Sequence, residues 1–189
     1  MKVITFFTNE KQLIAKAGAG NRAAQKRLYE LHAPHMLSVC RQYLRHLEQA
    51  EEAMCNGFLK VFKNLNSFRG EGSFEGWIRR IMVRESISYI RAKSKLQFVD
   101  LEYVQKNETY DAADSNIGTE EIQRLIDELP EGYRTVFVLH AVEGYKHGEI
   151  ADLLQISEST SKSQLFKARK MLQQQLKALN NYHNGTDEI

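Results

Sequence analysis

The sequence has little proline, cysteine or tryptophan, and it has no long apolar run. Only two prolines, two cysteines and one tryptophan occur among its 189 residues. This is too little cysteine for a disulfide-rich secreted domain, so we expect Cys40 and Cys55 to be free thiols in a reducing compartment. No stretch reaches the ~18 apolar residues of a membrane span, and the apolar run at residues 3–7 is too short for a signal peptide. The sequence therefore predicts a cytoplasmic protein without a membrane span.

Apolar residues recur three and four positions apart along most of the chain, a spacing typical of helices. Four such patterns precede residue 95. The first is interrupted at residues 18–21, and Pro34 separates it from the second. Because no alternating strand pattern competes with these helices, we expect an all-α fold.

An acidic segment follows the four helices. Between residues 100 and 121 there are seven acidic residues and one basic residue, and the helical periodicity weakens. This composition is typical of a linker. We therefore predict two small helical domains joined by an acidic linker, with a four-helix domain at residues 10–95, the linker at 96–118 and the second domain at 119–180. Since the formal net charge is only +2, a nucleic-acid site would need its positive charge concentrated locally.

The second domain contains the pattern of a helix-turn-helix. Residues 147–154 form a short amphipathic helix, a three-residue turn follows, and Ser157 is a good N-cap for the next helix. Small and cationic side chains suit close approach to the DNA major groove, although a merely solvated face is the alternative. The short helix and turn before this face favour DNA reading. The predicted outward face carries Ser159, Thr160, Ser163, Phe166, Lys167 and Lys170.

The fourth helix of the first domain is strongly basic. From residue 79 to residue 95 there is a single acidic residue, Glu85, against Arg79, Arg80, Arg84, Arg91, Lys93 and Lys95. The aromatic residues near it are Phe68, Phe74, Trp77 and Tyr89. Cations that follow phosphates and rings that stack on bases are the components of a single-strand binding site. Phe74 and Trp77 also fall on the apolar stripe of the helix, which favours a place in the core over a stacking surface for both.

Five segments in order resemble the extracytoplasmic-function (ECF) sigma factors of the sigma-70 family. They are QAEEAMCNGFLKVF (49–62), FRGEGSFEGWIRRI (68–81), LPEGYRTVF (129–137), EGYKHGEIA (143–151) and ISESTSKSQL (156–165). The resemblance covers residues 13–179. It implies a promoter-recognition subunit that binds core RNA polymerase, with a first domain for the minus-ten element and a second for the minus-thirty-five element.

The resemblance also implies residue roles in the first domain. The third helix would dock on the clamp helices of the largest polymerase subunit through Glu51, Glu52, Asn56, Phe58 and Lys60. The loop before the fourth helix would receive a base flipped from the non-template strand, at a cost of a few kcal/mol in unstacking. The implied minus-ten contacts are Phe68, Arg69, Ser73, Phe74, Arg79, Arg80, Arg84, Ser88 and Arg91.

In the second domain, the family's reading positions correspond to Lys162, Ser163, Phe166 and Lys167, with Thr160 beside them. The linker would pass through the RNA exit path of the polymerase. The partners implied are core RNA polymerase, promoter DNA and, for many members, an anti-sigma factor. No small-molecule substrate, cofactor or metal is implied.

The chain departs from the family pattern at four positions. Cys55 and Asn56 replace the usual glutamine and acidic residue of the third helix, and Arg84 and Ser88 replace asparagine and aspartate of the fourth. Arg84 predicts either a different base preference at the minus-ten element or a phosphate contact in place of a base contact.

Other function classes find little support in the sequence. The histidines lack the closely spaced second ligand pair of a metal site, and no carboxylate cluster shares a face as an enzyme would need. We therefore expect a protein that is not an enzyme. The alternative that remains is an autonomous helix-turn-helix regulator that binds duplex DNA without polymerase.

Overall fold

The computed structural model describes residues 10–93 and 119–186, and within these ranges every regular element is a helix, as predicted. The α-helices are α1 (Glu10–Gly18), α2 (Arg22–Tyr43), α3 (Leu47–Lys63), α4 (Phe74–Lys93), α5 (Thr119–Glu128), α6 (Glu131–Phe137), α7 (His147–Leu154) and α8 (Glu158–Thr186). A 3-10 turn at Leu65–Ser67 follows α3, and a π-helical turn at Val138–Val142 follows α6.

Internal contacts divide the chain into two compact units, with the boundary after Lys93. The first unit contains α1 to α4 and the second contains α5 to α8. The predicted linker at residues 96–118 lies outside the described residues. No helix in the described part of the chain is long and apolar enough to cross a bilayer.

Asn21 starts α2 and accounts for the break after α1. Its side-chain oxygen accepts a hydrogen bond from the backbone N–H of Ala24 at 2.9 Å, which satisfies one of the free donors of the first turn. Gly20, with φ of +84°, makes the turn before it. The interruption expected at residues 18–21 is confirmed.

The expectation that Pro34 divides two helices is wrong, because α2 continues through it. Pro34 is exposed, so its ring points to solvent, while Leu28, Met36 and Val39 lie buried on the stripe that spans it. Burial of this stripe holds the helix together although the proline removes one backbone donor and crowds the preceding turn. The first unit therefore begins with a short helix and a long one.

In the first unit, α2, α3 and α4 pack on one another, and α1 packs on α2 and on the 3-10 turn. The largest side chains at its centre, all less than 2 % exposed, are Leu28, Met36, Tyr43, Ile78, Met82 and Ile90. Because α3 and α4 each bury one side in this core, the opposite side of each helix is exposed.

In the second unit, α8 is the central element, since α5, α6 and α7 all contact it. Leu129, Leu139 and Ile150 are completely buried, and Leu165 and Ala168 of α8 pack against this layer. One helix therefore supplies part of the core and also the predicted DNA-reading face.

Candidate nucleic-acid interface

The loop before α4 is shaped by two glycines and a serine cap. Gly70 and Gly72 have φ of +76° and +85°, a left-handed conformation that favours glycine. The Ser73 hydroxyl oxygen accepts a hydrogen bond from the backbone N–H of Gly76 at 3.0 Å, which caps the first turn of α4. The predicted loop is a defined turn, and Ser73 has a structural role in it.

A cluster of aromatic rings supports this loop. The ring centroid of Phe68 lies 5.2 Å from that of Phe74 and 5.6 Å from that of Trp77. Phe74 is only 2 % exposed, because it begins the buried stripe of α4 that continues with Ile78. Phe74 was expected to be an accessible contact, but its side chain is buried and supports the loop from below. Phe68 and Trp77 remain half-buried, and each keeps some surface in contact with solvent.

A cleft of about 530 Å³ opens beside the loop. Its walls come from α1, from the 3-10 turn and from the loop itself, and its lining includes Phe68, Arg69, Ser73 and Phe74. This volume lies within the ~300–1,000 Å³ range of small-molecule sites. Four of the predicted minus-ten residues therefore border one cavity that combines apolar and polar surface.

The exposed side of α4 carries a row of basic residues. Arg80, Arg84, Ser88 and Arg91 are exposed at spacings of four, four and three residues, so they follow one face of the helix. Arg79 is half-buried beside this row. Glu85, the acidic residue nearest this row, forms an ion pair with Lys60 of α3.

The exposed side of α3 agrees only in part with the predicted polymerase contacts. Glu51, Glu52 and Asn56 are exposed, as expected. Phe58 is 2 % exposed, so its predicted role at a docking surface is wrong. It lies on the buried stripe of α3, and its ring packs edge-on against Tyr29 at 4.8 Å.

Two features of α3 change this predicted surface. Lys60 remains exposed, but its ammonium group is paired with α4. Leu59, which the sequence reasoning missed, is 68 % exposed. Its place three residues after Asn56 on an otherwise polar face was the available signal. The exposed side of α3 therefore combines the carboxylates of Glu51 and Glu52 with the apolar side chain of Leu59.

The turn between α7 and α8 confirms the predicted helix-turn-helix geometry. Gln155 has φ of +56° and ends α7 in the left-handed conformation. Ser157 then caps α8, since its hydroxyl oxygen accepts a hydrogen bond from the backbone N–H of Thr160 at 3.0 Å. The two helices are also joined by a 2.9 Å contact between His147 Nδ1 and Ser161 Oγ. Ile156 lies half-buried at this turn.

The predicted reading face of α8 is corrected at two positions. Thr160 and Ser163 are 4 % and 3 % exposed, and the Ser163 hydroxyl donates a hydrogen bond to the Thr160 carbonyl oxygen. Their side chains are therefore not part of the accessible face of α8.

The remaining predicted residues of α8 reach the surface. Ser159, Lys162 and Lys170 are exposed, and Phe166 and Lys167 are half-buried. Lys162 Nζ lies 3.7 Å from a carboxylate oxygen of Glu158, an exposed pair that long side chains readily exchange for a phosphate. The accessible face is cationic, with Phe166 as its aromatic member.

Two histidines stack behind this face. The rings of His140 and His147 are 4.7 Å apart and nearly parallel, and His140 Nδ1 lies 2.9 Å from the carbonyl oxygen of Tyr145. Burial lowers the pKa of His147, and the neighbouring His140 and Lys162 lower it further. The neutral imidazole is therefore favoured at this junction.

Neither a metal site nor a reactive thiol is evident in the residues that the structure describes. No group of three or more histidine, cysteine or acidic side chains is placed to hold a metal ion there. Both cysteines are free; burial raises the pKa of the Cys40 thiol to about 11, which keeps it protonated.

Comparison with protein-family models gives two matches in the order expected. The model of sigma-70 region 2 matches residues 28–96, and that of sigma-70 region 4 matches residues 119–172. The first match includes α3, the loop and α4. The second ends within α8, after the cationic face. Together they cover more than half of the chain.

Full-length relatives are also similar. The chain is 22 % identical over 183 residues to the ECF RNA polymerase sigma-E factor of Haemophilus influenzae, covering 90 % of this chain and 96 % of that protein. It is 28 % identical over 175 residues to the ECF RNA polymerase sigma factor SigM of Mycobacterium tuberculosis, covering 91 % and 87 %. The sigma factor RpoE of Bartonella quintana, solved with the anti-sigma factor NepR, has a similar fold with a TM-score of 0.50 at 20 % identity, covering 80 % of this chain and 96 % of that one.

Proposed function

The chain belongs to the sigma-70 family of RNA polymerase sigma factors and is of the extracytoplasmic-function type, and on this premise we propose how its two units divide the work of promoter recognition. The observation that carries the proposal is a cleft beside the start of α4, a helix with a basic exposed face, in the same chain as a cationic helix-turn-helix. The first unit docks on core polymerase and opens the minus-ten element. The second unit binds the minus-thirty-five element as duplex.

We propose that the exposed side of α3 contacts core polymerase through Glu51, Glu52 and Asn56, with Leu59 at the centre. The carboxylates offer charge complementarity, and an exposed leucine among polar residues is a suitable apolar anchor. Cys55 and Asn56 replace an amide and an acid of the family pattern, so this face has one charge fewer than the pattern would give it. The leucine offers buried area to offset that difference.

We propose that the cleft beside the loop holds one unpaired base of the non-template strand. Unstacking a base costs a few kcal/mol, so contacts that exist only after opening must offset this cost. Phe68 offers a stacking surface, Arg69 lies at the cleft, and Arg80, Arg84 and Arg91 offer phosphate contacts along α4. Arg84 is exposed within this row, which favours a phosphate contact over a base contact.

We propose that α8 binds the minus-thirty-five element through Ser159, Lys162, Phe166, Lys167 and Lys170. Ser159 and Lys162 lie in its first two turns, where a recognition helix approaches base edges, and Lys167 and Lys170 follow where phosphates would lie. Thr160 and Ser163, whose side chains are buried, are not assigned a contact with DNA.

The proposal assigns no chemical step to the chain. It acts in the cytoplasm as a non-enzymatic initiation factor, and its partners are core polymerase, promoter DNA and, as for the Bartonella protein, an anti-sigma factor. The autonomous regulator is not favoured, because such a protein has no use for the exposed α3 face or for the cleft and basic row of the first unit.

Initiation by reconstituted polymerase tests this proposal. The purified chain is mixed with core polymerase, the complex is isolated by gel filtration, and run-off transcripts from a genomic template library are sequenced. We expect the two to co-elute and initiation to begin at a shared promoter sequence. Leu59→Asp should weaken the complex, whereas Lys26→Asp, at an exposed site on α2, should not. A chain that binds specific duplex tightly but never associates with polymerase would exclude the sigma function.

A further inference from the structure

The far wall of the cleft is built by α1, a helix that precedes the region 2 match at residues 28–96. Glu10, Lys11, Ile14 and Ala15 line the cavity opposite the loop, and Asn66 of the 3-10 turn lines it between them. None of the contacts that the resemblance implies falls on these residues. The four residues of α1 lie more than 50 positions before the loop in sequence, so no local sequence pattern indicates that they contact the same cavity.

This wall is held firmly in place. Leu13 and Ala17 bury the opposite side of α1, and the Gln25 side-chain amide of α2 donates a hydrogen bond to the Ala17 carbonyl oxygen at 3.1 Å. A Cβ at Gly18 would lie 2.6 Å from Asn66 Oδ1, so the turn approaches α1 as closely as a glycine allows. A fixed wall can discriminate between ligands because it cannot move away from a poorly matched one.

Glu10 places a carboxylate on this wall. One of its oxygens lies 3.6 Å from Nε2 of His32, whose side chain is only 11 % exposed and whose ring packs edge-on against Phe74 under the loop. The glutamate therefore lies close to a histidine that packs against the aromatic cluster supporting the loop. A carboxylate accepts hydrogen bonds from the exocyclic amino group of cytosine or adenine, and it repels the carbonyl oxygen that thymine has at the corresponding position.

We propose that α1 is a specificity element of the cleft, in which Glu10 selects an unpaired base that carries an exocyclic amino group against thymine. The inference rests on the proposed function, since it assumes that the cleft receives a base of the opened strand. It adds a recognising residue outside the loop and the basic helix.

Promoter variants in the reconstituted holoenzyme test this inference. Each of the four bases is placed in turn at the non-template position where the wild-type holoenzyme is most selective, and initiation rates are compared. We expect cytosine or adenine to exceed thymine by about tenfold, the order of one charge-assisted hydrogen bond. Glu10→Gln should bring this ratio close to one, because a glutamine amide can also donate to the thymine carbonyl.

The matched control is Glu71→Gln, which removes the same charge from an exposed loop residue that does not line the cleft and should leave the ratio unchanged. Binding of the holoenzyme to short non-template oligonucleotides gives a second readout that does not depend on initiation. An unchanged ratio in Glu10→Gln, with normal polymerase binding, would overturn the inference and leave the proposed function standing. A wild-type chain that fails to bind polymerase would overturn both.

Discussion

The two units present positive charge in different ways. In the first unit, the arginines of α4 stand on a face that has no part in the core, and all of the row from Arg80 to Arg91 is exposed. In the second unit, α8 is both the central core helix and the proposed reading helix, and the buried Thr160 and Ser163 alternate with the exposed Ser159 and Lys162. Substitution of the exposed arginines of α4 should therefore leave folding unaffected. On α8, by contrast, neighbouring residues either stabilise the core or face solvent.

The largest expected effect follows from the double role of α8. Leu165→Ala should destabilise the second unit by about 2–5 kcal/mol, because the leucine is 4 % exposed and its truncation leaves a cavity. Hydrogen exchange should show faster opening of α5 to α8 with α1 to α4 unaffected. Lys167→Ala, two residues away and half-buried, should keep the wild-type exchange pattern. Equal stability of the two variants would contradict the division of labour on this helix.

A pair of serines sharpens the same contrast. Ser163→Leu should cost about 1–3 kcal/mol because it forces a larger side chain into a site where the serine is only 3 % exposed. Ser159→Leu, on the exposed side, should change the free energy of unfolding by less than about 0.5 kcal/mol. Denaturant titrations of both variants give the comparison. If Ser163→Leu folded as well as the wild type but lost promoter sequence preference, Ser163 would be a reading residue after all.

The charged residues should separate the units by the form of DNA they bind. Lys167→Ala should weaken holoenzyme binding to duplex promoter and lower the salt slope by about 0.9, the value for one phosphate contact on B-DNA. Arg84→Ala should leave duplex binding intact and weaken binding to a template with an unpaired minus-ten region, with a slope change of about 0.7. The same defect on both templates for either variant would remove the distinction between the units.

The smallest effect expected is a dependence of the second unit on pH. Because burial and His140 hold the pKa of His147 below its ordinary 6.5, the folded unit binds fewer protons than the unfolded chain below that pH. Its stability should therefore fall as the pH is lowered from about 7.5 to about 5.5. Lys162, Arg169 and Glu158 are the other charged groups that act on this ring.

His147→Gln provides the comparison for this effect, since an amide can keep a hydrogen bond to Ser161 without titrating. Thermal unfolding of both proteins across this pH range should show a shallower decline for the variant. Parallel curves would mean that the histidine pair does not contribute.

The helix order and both DNA-facing elements could be predicted because they depend on local spacing. The apolar period located α3, α4 and α7, and the N-cap Ser157 located the start of α8. The continuation of α2 through Pro34 could not be predicted, because it depends on tertiary packing that buries the apolar residues on either side of the proline.

The site was harder to predict wherever a residue's role depends on what packs against it. Thr160 and Ser163 have the polarity of reading residues, and only the folded structure shows that they are buried. Phe58 and Leu59 are adjacent and both apolar. Phe58 is buried in the core, whereas Leu59 points to solvent. The contribution of α1 to the cleft is a contact between distant segments that no local pattern encodes.

Strand opening by the holoenzyme tests the central claim most directly. Permanganate reactivity of thymines is measured on a promoter recovered from the run-off library, with the chain alone, with core polymerase alone and with both. The account predicts reactive thymines only when both are present, confined to the minus-ten element and reduced by Arg84→Ala but not by Glu71→Gln. Protection of duplex DNA by the chain alone, with no reactive thymines when polymerase is added, would contradict it.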